Sequence, residues 1–124
     1  MSTALYAAAF LALVIGAAHS FLGERYILVR LFRWPDLPKV FGNPQFTTRT
    51  LRFAWHVTSV AWWGFAAILA LLARPPVSVH AISLIIGITF LVTSATVLVG
   101  SGGKHLAWPL FLIIAIVALY AVGT

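Results

Sequence analysis

Residues 51–72 read LRFAWHVTSVAWWGFAAILALL. One basic residue and one histidine stand near the start, and no charge follows. A bilayer core of about 30 Å needs roughly 20 apolar residues in a helix, and this stretch supplies them. Working outward, three more runs have the same character: residues 5–22, 77–99 and 106–122. The runs are continuously apolar and do not alternate at period two, which excludes a β-barrel. The chain is 124 residues long, 62% hydrophobic and only 8% charged, so a soluble domain is excluded as well. The expected fold is an all-α integral membrane protein, one domain over residues 1–124 built as a four-transmembrane-helix up-down bundle.

The loops fix an expected orientation. Arg25, Arg30, Arg33, Lys39, Arg49 and Arg52 lie between or beside the first and second spans, and Lys104 lies between the third and fourth. Only Arg74 falls at the opposite end. Positive charge is retained on the cytoplasmic side, so both termini are expected outside the cytoplasm and the protein in a cell inner membrane. The first run has no Lys or Arg before it and is expected to stay as a membrane helix, not to be removed as a signal peptide. The net charge of +6 sits beside membrane spans. Anionic lipids on the cytoplasmic face of the bilayer are therefore the expected partner, with no nucleic acid. There is no cysteine, which excludes disulfides and thiolate chemistry.

The first span carries small residues at helical spacing: Ala9, Ala12, Gly16, then His19 or Ser20, then Gly23. Such stripes let membrane helices approach closely. Within the cytoplasmic loop of residues 23–50, the segment from Glu24 to Trp34 mixes bases with bulky apolar groups. It is expected as an amphipathic extension at the interface, ended by Pro35 and Pro38. Thr47 or Thr48 is the expected N-cap of the second helix. On that helix Arg49, Arg52, His56, Ser59 and Trp63 recur every three or four residues and share a face. Trp62 and Trp63 lie too deep for an interfacial belt and are expected in packing or against a ligand. In the third span, Thr89, Thr93 and Thr96 are expected to bond back to their own helix. The link from Gly100 to Lys104 lacks the spacing of a phosphate-binding loop.

His19, His56 and His105 are all expected at the cytoplasmic end, with Glu24 about one turn beyond His19; His80 falls at the other end. Three imidazoles and a carboxylate suit a divalent metal, and His19 with His56 suits a haem. The competing expectation is that Glu24 pairs with Arg52 or Arg49 while the histidines bond to backbone or lipid. Hydrolytic chemistry is disfavoured, because Ser20 does not face its neighbour His19 and no carboxylate on the second helix orients His56. Three functions follow. The first is an accessory or interaction subunit of a membrane assembly, packing on partners or on a second copy of itself. The second is a His-ligated metal or haem protein for redox or metal handling. The third is a small anion or lipid-headgroup transporter using Arg49, Arg52 and Lys104.

Overall fold

The computed structural model describes residues 1–124. It is all-helical, with no strands. We number the helices α1 (Ser2–Leu31), α2 (Gln45–Leu72), α3 (Val79–Ser101) and α4 (Ala107–Tyr120). The first three are long and apolar enough to cross a membrane, and α4 is a shorter apolar helix. At 1.5 Å per residue the 14 residues of α4 reach about 21 Å, less than the expected run of residues 106–122.

α1 does not end at Leu22. It continues through a π-helical segment, Gly23–Leu28, to Leu31. Inside that segment the Val29 amide reaches back to the Glu24 carbonyl, one residue further than an α-helix would. No proline interrupts the chain before Pro35, so the expected extension is helical and unbroken with α1. α2 likewise starts earlier than expected, at Gln45. Asn43 Oδ1 accepts from the Gln45 amide at 2.9 Å, so neither Thr47 nor Thr48 is the N-cap. Thr47 donates instead to the Pro38 carbonyl at 2.7 Å, which folds the proline loop onto the start of α2. At the far end Ser78 caps α3, and His80 follows in its first turn, exposed. Gly102 ends α3 at φ 62°, a left-handed C-cap that glycine adopts without strain.

Neighbours in sequence are neighbours in space. α1 packs on α2, α2 on α3 and α3 on α4, as expected for up-down connectivity. The ring is not closed, however. No Cα of α1 comes within 8 Å of α3 or α4, so the four helices form an open row. The small residues explain why. A Cβ at Gly16 would meet the Trp63 indole, and one at Gly23 the Trp55 indole. Gly64 is pressed against Thr89, and Gly87 against Leu119. Each close approach is spent between consecutive helices, leaving bulky side chains elsewhere. Phe10, Leu11, Val14, Ile15 and Phe21 of α1 are exposed. Only 15 of 124 residues are buried, so most apolar surface faces outward, as helices in contact with lipid require.

Candidate functional site

Ser20 and Glu24 lie four residues apart on α1, and Arg52, His56 and Ser59 follow at helical spacing on α2. The two stripes meet at the same end of the molecule. His56 Nδ1 is 2.9 Å from Ser20 Oγ, and His56 Nε2 is 3.1 Å from Glu24 Oε2. Ser20 Oγ is 2.7 Å from Ser59 Oγ, which is fully buried. Arg52 closes the other end. Its Nη2 donates to Glu24 Oε1 at 2.9 Å and its Nε to Oε2 at 3.2 Å. The Arg52 guanidinium also rests over the Phe32 ring, 4.9 Å from its centroid.

Two proton orders fit these distances. With neutral His56, Nε2–H donates to Glu24 and Nδ1 accepts from Ser20, whose oxygen accepts from Ser59. With cationic His56, both nitrogens donate, and the Ser20 hydroxyl donates its hydrogen bond to Ser59 Oγ. Either way both nitrogens of His56 are used within the chain. The sequence pointed to the Glu24–Arg52 pair but not to the bonds that tie His56 to Ser20 and Glu24. The carboxylate that orients His56 comes from α1, not from its own helix. The available signal was a pair of polar stripes at equal depth, Ser20–Glu24 and Arg52–His56–Ser59. The order hydroxyl, imidazole, carboxylate resembles a nucleophilic triad, but Ser20 lies mid-helix, where backbone amides are already bonded, and lines none of the grooves. Its part is to hold the imidazole.

The other histidines have separate surroundings. His19 stacks flat on Trp55, centroids 4.5 Å apart and planes within 2°, with Trp62 edge-on at 5.0 Å. Trp55 Nε1 donates to the His19 carbonyl at 2.9 Å, and His19 Nε2 is buried without a partner. His105 lies against Phe46 and Phe53, and its Nδ1 accepts the Ala107 amide at 3.2 Å, capping the start of α4. The expected metal set of His19, His56, His105 and Glu24 does not assemble, since no group of three or more such side chains converges. His19 is held against Trp55 and Trp62 and His105 against Phe46 and Phe53, so neither ring is positioned with His56. Of the expected haem pair, His56 has both nitrogens engaged within the chain, and the His19 ring is stacked on Trp55.

Beside the network, α2 and α3 frame an open groove of about 380 Å³ lined by Arg49, Arg52, Phe53, His56, Thr96, Val99 and Gly100. Arg52 is paired with Glu24, whereas Arg49 makes no ion pair. Arg49 lies against the Gly102 turn, beside the partially negative end of α3. Lys104 does not join this groove. It lines a small recess of about 30 Å³ on the other side of Arg49. At the opposite end Arg74 donates to the Tyr6 hydroxyl, which raises its pKa above the ordinary arginine value. Comparison with models of known families, with curated proteins and with solved structures finds no match.

Proposed function

We propose that this chain is a multi-pass inner-membrane protein, both termini outside the cytoplasm, whose cytoplasmic end binds an anionic group of phosphate chemistry. The observation that carries this reading is the groove in which Arg49, Arg52 and His56 come together. Only Glu24 opposes them in sign, and its charge is answered by Arg52. That leaves the Arg49 guanidinium as the positive charge of the groove without an ion-pair partner. A guanidinium presents paired donors that suit phosphate oxygens. Ser20 and Glu24 keep the imidazole fixed, so the site is organised before a ligand arrives. The orientation rests on the concentration of bases at this end.

The test is calorimetric titration of the detergent-purified protein with sn-glycerol 3-phosphate, against sodium chloride of equal ionic strength. Saturable binding is expected, weakened about tenfold in Arg49→Gln, the loss typical of one charge-assisted hydrogen bond. No saturable heat, or binding indifferent to Arg49→Gln, rejects the site.

The interaction-subunit reading keeps one support. The open row leaves the outer flanks of α1 and α4 uncovered by the chain. Its small-residue faces, in contrast, are already spent on intramolecular contacts. Light scattering of the purified protein separates the cases: a monomer removes the self-association form of that reading.

A further inference from the structure

The basic groove has an apolar continuation. On α2, Arg49, Arg52 and His56 are followed on the same face by Val60, Trp63 and Ala67, each step three or four residues. On α3, running antiparallel, Thr96 is followed towards the other end by Val92, Ile88 and Ile85 at the same spacing. Those six apolar side chains line a second groove between α2 and α3, of about 270 Å³, together with Gly64 and Thr89. The two grooves end one helical turn apart on both helices, at His56–Val60 and Val92–Thr96. They lie end to end along the α2–α3 seam, charged at the basic end and apolar beyond it, and together are called the channel.

The dimensions suit one molecule. From His56 to Ala67 is eleven residues, about 16 Å at 1.5 Å per residue. One leaflet of a bilayer core is about 15 Å deep. Trp63 and Ile88 on this face are exposed, so the apolar half is open to the side and a chain can enter laterally. The opposite side of the seam offers no equivalent. Its groove, of about 220 Å³, is lined by Val57, Phe65, Phe90 and Phe111 among others, and no basic residue stands in it.

We infer that the channel is a binding site for one anionic glycerophospholipid of the cytoplasmic leaflet. Its phosphate meets Arg49 beside His56, and one acyl chain lies along Val60, Trp63 and Ala67 against Ile88 and Val92. The charge asymmetry is what selects this occupant. A zwitterionic lipid brings its own cation to a place already positive, and a second protein helix would leave Arg49 unanswered. The inference rests on the anion site proposed above and adds the apolar half to it.

The experiment uses the full chain in detergent, with lipid retention read by native mass spectrometry. Phosphatidylglycerol and phosphatidylcholine are added in turn, and sn-glycerol 3-phosphate is titrated in parallel. Two variants separate the halves: Arg49→Gln removes the headgroup contact, and Ile88→Trp fills the apolar half from an exposed position. The expected result is one phosphatidylglycerol retained about tenfold more tightly than phosphatidylcholine, whose choline cation is repelled at the basic end. Arg49→Gln should lose that preference, and Ile88→Trp should lose retention of either lipid while binding glycerol phosphate as the wild type does. Equal retention of the two lipids, or phosphatidylglycerol binding that Ile88→Trp leaves intact, overturns the lipid site while the anion site stands. If glycerol phosphate also fails to bind, both readings fall together.

Discussion

Arg52 of α2 grips both carboxylate oxygens of Glu24 on α1, at 2.9 and 3.2 Å, across 28 positions of sequence. The same carboxylate receives His56 Nε2 at 3.1 Å. One acid therefore ties two α2 side chains to α1, at the point where the π-helical segment begins.

That pair is partly exposed, with side-chain accessibilities of 49% for Arg52 and 34% for Glu24. Its contribution to stability is accordingly modest. A double-mutant cycle of Glu24→Gln and Arg52→Gln, read by thermal unfolding in detergent, should give a coupling of about 0.5–1 kcal/mol. A coupling near zero would mean that the two side chains do not meet in solution.

The glycine contacts carry more. Gly16→Val must push the Trp63 indole out of place and should cost about 1–3 kcal/mol, the usual range for overpacking. Ala17→Val, one residue on and exposed, should leave the unfolding midpoint nearly unchanged. Equal effects from the two substitutions would show that α1 does not pack on α2 through this face.

Histidine chemistry divides by position. His105→Ala removes an amide acceptor and an aromatic contact at the start of α4, and should lower stability by about 1–2 kcal/mol. It should leave glycerol phosphate binding untouched, because His105 lines no part of the basic groove. Excess EDTA should not move the thermal midpoint. A fall of several degrees on chelation would restore the metal set of His19, His56, His105 and Glu24.

Orientation is open to a direct measurement. Single cysteines replacing Ser2 and Asp36 should react with an impermeant maleimide from opposite sides of the membrane, Asp36 from the cytoplasm. Labelling of both from one side would overturn the orientation and with it the leaflet assigned to the basic groove.

The sequence by itself determined the helices. Continuous apolar runs, proline clusters and the Gly102 turn are local features, and α2 and α3 lie within a few residues of where they put them. It also determined that Glu24 would need a base, since so few acids stand among so many arginines. The segment after Gly23 was legible as a helical extension, but its π-helical widening was not, since that depends on how it packs against α2. The site was tertiary in origin. Ser20, Glu24, Arg52 and His56 come from two helices, and their meeting depends on how α1 rotates against α2. The fit of Trp55 and Trp63 into Gly23 and Gly16 sets that rotation. The open row was decided the same way: the glycines were used up between consecutive helices, and the outer flank of α1 is left with bulky residues such as Phe10, Leu11 and Phe21.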